Sequence, residues 1–187
     1  MTEVENILIS LEARHAQNIY GGTKKVELRR RQLHVNAGDV VWIYEKVPVG
    51  AITGNASITG VHVASPEKLW SRFGAVSGLS KAEFFKYFGG LETACVIELA
   101  EAHRLRTPLS LAALRTANGN FQPPQFFLRL QAKQAILGAL QAAYHRLATE
   151  HPEEVSKLRP PKDNSLSGLD ASLSNQNYRK ICDRNII

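Results

Sequence analysis

Apolar and polar residues follow two rhythms along this chain, and the rhythm changes often. The run Val4 to Ser10 centres on Ile7-Leu8-Ile9 and predicts a short strand. From Leu11 to Tyr20 the apolar positions Ala13, Ala16, Ile19 and Tyr20 recur at helical spacing, and Gly21-Gly22 ends that helix. Lys25 to Arg29 then alternates charged and apolar residues, the signature of a half-buried strand with Val26 and Leu28 facing inward. After the turn Ala37-Gly38-Asp39, Val40 to Tyr44 is a continuous apolar strand. Ala51 to Val63 is a longer one, and Gly54 and Gly60 within it predict bulges or bends.

Helical rhythm returns at Ser65-Pro66-Glu67, where a Ser cap, a Pro at the first position and an early acid open a helix to about Phe73. Ser80-Lys81-Ala82-Glu83 is a capping box for a helix ending near Phe88. Trp70, Phe73, Phe84, Phe85, Tyr87 and Phe88 are spaced to pack these two helices onto the strands. Ala94 to Leu99 predicts a strand that Arg104 to Thr107 can extend, Ser110 caps a short turn through Leu114, and Phe126 to Leu128 forms a short strand or turn. Gln131 to Thr149 predicts a helix with Ile136, Leu140 and Leu147 on one face. Residues 4–150 thus form one domain. Beyond them, 151–187 is rich in Pro, Ser and Asn and predicts a flexible tail. Strands with helices inserted between them give an α+β class: a small mixed β-barrel with helical decoration and a C-terminal helix.

Composition narrows the function. The 187 residues carry a formal charge of +6, which favours polyanionic partners without dictating a fold. Within 151–187, Lys or Arg stands at six positions and Asp or Glu at five, so most of the basic excess belongs to the folded part. Cys95 and Cys182 are too far apart for a CxxC site, and Cys95 lies in an apolar run that predicts a buried thiol. The six histidines show no HxxxH or HExxH spacing, so no metal is expected. Neither GxxxxGK[ST] nor GxGxxG is present, and no cofactor is expected. No stretch is apolar enough to span a bilayer, and the acidic N-terminus opposes a signal peptide, so the expected compartment is the cytoplasm.

The segment with most chemistry is Gly21-Gly22-Thr23-Lys24-Lys25-Val26-Glu27-Leu28-Arg29-Arg30-Arg31. Glu27 and Arg29 are two apart on a strand, so both leave one face, and Lys24 at the loop junction can swing toward them. Two cations around a carboxylate can hold a phosphate or the polar edge of a base. A solvated, self-paired strand face is the alternative. Arg31 shares a face with Arg29 and can extend a phosphate track, whereas Arg30 points away. Tyr20, just before the glycines, is a candidate for base stacking, and His15 on the preceding helix can face the same cleft.

The pattern Gly22-x-Lys24-x-x-Glu27-x-Arg29 resembles the signature of the ASCH family, a branch of the PUA-like barrels. Its flanks are similar too: Ile7-Leu8-Ile9-Ser10 before it, Gly38-Asp39 and the strand after it, Leu69-Trp70, Ser80 to Phe84, and Pro123-Pro124-Gln125. The resemblance covers about residues 4–130. It implies a PUA-like barrel and binding of RNA or a nucleotide-like ligand in a cleft lined by Lys24, Glu27 and Arg29. Some relatives are amidohydrolases acting on acetylated cytidine through a Lys, a Thr and a Glu. Lys24 matches their Lys, and Glu27 stands in place of their Thr. Their carboxylate would fall near Ala75-Val76-Ser77-Gly78, where this chain has no acid. Ribonuclease activity is also attributed to some relatives. If this chain is an enzyme, Lys24 and Glu27 are the expected catalytic pair. The long helix and the tail are a possible surface for a protein partner.

Overall fold

The computed structural model describes residues 4–131 and 135–150, with side chains in the last helix described as far as 144. The polar tail 151–187, with Cys182 and His151, lies outside the described residues. Chain contacts separate a unit Met1–Leu147 from a second, Ala148–Ile187.

The first and third strands, β1 (Asn6–Leu11) and β3 (Val40–Glu45), run parallel, with Ile7 beside Val41 and Ile9 beside Ile43. Parallel neighbours need a crossover, and helix α1 (Ala13–Tyr20) and strand β2 (Val26–Arg29) lie within it. Both faces of this pair are covered. Ile7, Ile9, Val41 and Ile43 join one core layer with Ala16 and Ile19 of α1. Leu8, Trp42 and Tyr44 join a second layer on the opposite face. Burial on both sides is why these strands read as unbroken apolar runs rather than as alternation. Trp42 and Tyr44 are core residues.

The remaining strands are β4 (Ala51–Ala64), β5 (Ala94–Ser110) and β6 (Leu128–Leu130). All six form one mixed sheet in the order β2-β5-β4-β3-β1-β6. Among the described residues no ladder joins the edge strands β2 and β6, so the sheet is open where a closed barrel was expected. The β4–β5 ladder slips register at Ile52/Gly54, Asn55/Ser57 and Ile58/Gly60. Two of the slips fall at the glycines that predicted bends. At Gly54 the need is steric: a Cβ there would lie 2.1 Å from the His103 carbonyl oxygen and 2.8 Å from the Tyr20 ring. The middle slip has no glycine. It is taken up by Glu101 at φ 48°, whose carboxylate accepts a hydrogen bond from Ser57 Oγ at 3.1 Å.

Helices α2 (Pro66–Phe73) and α3 (Lys81–Phe88) are joined through a 3-10 turn at Gly74–Val76. Both start where their caps predicted. Ser65 accepts from the Lys68 backbone, and Ser80 and Glu83 close the capping box from both sides. Leu69, Phe73, Phe84 and Phe88 pack on Val26, Leu28 and Val96 in a third core cluster. Helix α4 (Leu111–Asn118) runs a turn beyond the predicted end. Helix α5 (Ala135–Glu150) sets Ile136, Leu137 and Leu140 against Leu8, Trp42 and Leu105. Of the predicted apolar face, Ile136 and Leu140 pack in the core, and the Leu147 side chain lies outside those described. Among the described residues no helix is long and apolar enough to cross a membrane.

Candidate functional site

The site begins at the end of α1. The backbone of Gly21 donates to Gln17 O, that of Gly22 to Ile19 O, and those of Thr23 and Lys24 both to Asn18 O. Four amides are thus paired with three carbonyls within one turn. This requires φ +73° at Gly22, a conformation costly for any residue with a Cβ. The turn delivers Lys24 beneath the 74–78 segment. Lys25 N donates to Val76 O at 2.9 Å, and Lys24 Nζ donates to Ser77 O at 2.9 Å. Ser77 is itself fixed, its hydroxyl donating to Gly74 O at 2.8 Å. Gly78 gives the lysine stem room: a Cβ there would stand 3.2 Å from Lys24 Cβ.

Strand alternation then sets Val26 and Leu28 into the third core cluster and turns Glu27 and Arg29 the other way. Lys24 Nζ lies 3.6 Å from Glu27 Oε2, and Arg29 Nη2 lies 3.2 Å from Glu27 Oε1. One carboxylate is clasped by two cations. The cluster is buried: Lys24 is 3% exposed and Glu27 7%. Arg29 Nη1 donates to Phe126 O at 2.9 Å. Its Nη2 is held by the ion pair to Glu27, and its Nε is buried without a hydrogen-bond acceptor among the described residues. His15 Nδ1 is likewise buried and unpaired. Beside the lysine, the Arg29 guanidinium is thus engaged by Glu27 and the Phe126 carbonyl.

Burial lowers the Lys24 amine below its usual range; the Glu27 carboxylate opposes this, and the Arg29 and Arg14 charges reinforce it. Burial also lowers His15, with the Lys24 and Arg14 charges acting in the same direction, so its imidazole is neutral at pH 7. Burial raises the Tyr87 phenol, which the Glu27 charge raises further.

The other sequence candidates go elsewhere. Tyr20 hydrogen-bonds Thr53 Oγ1 at 2.8 Å and lies under the Arg104 guanidinium, 5.1 Å from its ring centroid. Burial pushes its phenol up to about 12. These partners belong to a second cluster in which fully buried Glu45 accepts from Gln17 and Arg104. Arg31 is exposed, with its guanidinium 5.9 Å from the Phe126 ring. Arg30 binds the carbonyls of Tyr87 and Gly89, pointing away from its neighbours as expected. Sequence reasoning missed the Ser77 carbonyl, Phe126, Glu45 and Arg104. A charged residue closing the apolar run of β3 was the only signal for Glu45. Backbone acceptors leave no sequence signal at all. No group of metal-ligating side chains occurs among the described residues.

Comparison with known proteins gives four findings. A family model for the ASCH domain matches residues 9–103. An ASCH domain-containing ribonuclease of Zymomonas mobilis is 33% identical over 137 residues, which span 72% of this chain and 92% of that protein. The crystal structure of ASCH from Zymomonas mobilis superposes with a TM-score of 0.65 at 30% identity, covering 77% of this chain and 94% of that one. A hypothetical protein from Leishmania major shares the fold at 12% identity, with a TM-score of 0.53 over 78% of this chain and 98% of its own.

Proposed function

The chain belongs to the ASCH domain family, and from that premise we propose that it binds RNA, holding a backbone phosphate between Lys24 and Arg29 with Glu27 orienting both. One observation carries this reading: two cations converge on one buried carboxylate, which leaves the cluster one positive charge in excess, and the Arg29 Nε has no hydrogen-bond acceptor among the described residues. A phosphate oxygen is the natural acceptor for such a fork. A nucleotide-like ligand presents the same group. The test is binding of a labelled single-stranded RNA to the wild type and to Lys24→Met, with folding checked by circular dichroism. Loss of affinity supports the site; unchanged affinity in a folded variant removes it.

A second reading, RNA cleavage, is favoured by the depressed Lys24 amine together with the ribonuclease name borne by the 33%-identical relative. A neutral Lys24 would take the proton of a ribose 2′-hydroxyl while its oxygen attacks the adjacent phosphorus. The 5′-oxygen would leave with a proton from water, giving a 2′,3′-cyclic phosphate and a 5′-hydroxyl. Arg29 would neutralise the phosphoryl oxygens in the transition state. Chromatography of RNA incubated with wild type and Lys24→Met is the check. The amidohydrolase chemistry of some relatives has less support: the 74–78 segment does pack on Lys24, but it offers the Ser77 carbonyl instead of a carboxylate. The free, buried Cys95 thiol suits the reducing cytoplasm as the proposed compartment.

A further inference from the structure

Of the seven phenylalanines in this chain, five are buried or half-buried, and Phe126 and Phe127 alone stand in solvent, 64% and 38% exposed. Adjacent exposed rings cost solvation free energy and need a reason. Their surroundings supply one. The Arg31 guanidinium lies 5.9 Å from the Phe126 centroid, and that of Arg129 lies 5.8 Å from the Phe127 centroid. Arg29 donates to the Phe126 carbonyl at 2.9 Å, so the same side chain joins the rings to the Lys24–Glu27–Arg29 cluster. On the other side Arg129 donates to His34 O at 2.6 Å and pairs with Glu5. His34 lines a shallow cavity of about 430 Å³ whose floor is Leu33, Val35, Val61 and Val63.

We infer that Phe126 and Phe127, flanked by Arg31 and Arg129, form a base-stacking platform for single-stranded RNA running toward the phosphate site. This rests on the RNA-binding reading above and extends it to the strandedness of the substrate. Rings interleaved with guanidinium groups match what an unpaired strand offers: a flat π-face on every base and a charge on every linkage. A duplex keeps its base faces stacked internally and cannot use such rings. An apolar protein partner would be favoured by the rings but not by the arginines beside them.

The test compares a 12-nucleotide single-stranded RNA with the same sequence as a duplex, using fluorescence anisotropy on the full chain. Both rings are exposed, so Phe126→Leu and Phe127→Leu should fold. Each should weaken single-strand binding about tenfold and leave the salt slope unchanged, because stacking releases no counterions. Phe126→Trp should restore affinity, with its fluorescence quenched on binding. Undiminished single-strand binding by the Leu variants, or equal binding of the duplex, overturns the platform and leaves the phosphate site standing. No RNA binding by the wild type overturns both. A Leu variant that changes only the oligomeric state overturns the platform in favour of self-association.

Discussion

At the scale of single residues, the Lys24–Glu27–Arg29 cluster sets two cations on one carboxylate, a net charge of +1. Removing Glu27 alone strands two cations with little solvent around them. Glu27→Ala should therefore cost about 3 kcal/mol in urea unfolding, and the paired change Lys24→Met/Glu27→Gln should cost clearly less. Additive losses would show that the three groups do not interact. Titration gives a second check. His15 and His103 both have folded-state pKa values below the ordinary 6.5, chiefly through burial. In the window below 6.5 the unfolded chain binds more protons than the folded one, so stability should fall on acidification from about pH 6.5 downward. Lys24 follows the same sign at the other end: its stability term should improve as pH rises toward 10.5. Urea midpoints across a pH series would show both slopes. At this scale the sequence exposed only part of the site. The spacing of Lys24, Glu27 and Arg29 was legible because strand period and a glycine turn determine which side chains share a face. Their depth was not legible, because it depends on partners distant in sequence, such as the Ser77 carbonyl that accepts from Lys24.

At the scale of elements, local signals were reliable wherever the stabilising partner is close in sequence. Ser65-Pro66 and the Ser80/Glu83 box opened helices at the predicted residues. The Glu83 carboxyl is held down to about 2, first by the Ser80 backbone and then by Arg14. Ser80→Ala should lower stability by about 1 kcal/mol and leave RNA affinity unchanged, measured by urea unfolding and anisotropy on one preparation. Gly54→Ala tests a long-range constraint instead. The added methyl meets the His103 carbonyl and the Tyr20 ring, and a loss of about 3 kcal/mol is expected. A near-neutral result would mean the bulge relaxes without strain. The sequence marked the bulges at Gly54 and Gly60 through their glycines. It carried no mark at Glu101, where a polar residue takes the unusual backbone conformation and pairs with Ser57.

At the largest scale, the described unit is an open six-stranded sheet packed on both faces, whose first edge carries Arg29 with Arg30 and Arg31 following it. β2 is that edge, so Arg29 and the arginines that follow it are not enclosed by a further strand. The sequence implied closure because bent, glycine-containing strands are what barrels use, yet bending alone does not bring β2 to β6. In the proposed reading, Arg29 at the end of β2 and the exposed rings just before β6, linked by the Arg29–Phe126 hydrogen bond, would give RNA a path between the two edge strands. The most direct test is the salt dependence of single-stranded RNA binding by the wild type and by the folded variants Lys24→Met and Arg29→Met. If each side chain neutralises a phosphate, each variant should bind more weakly, and the slope of log K against log salt should become shallower by about 0.7. Wild-type affinity and slope in both variants would contradict the phosphate site.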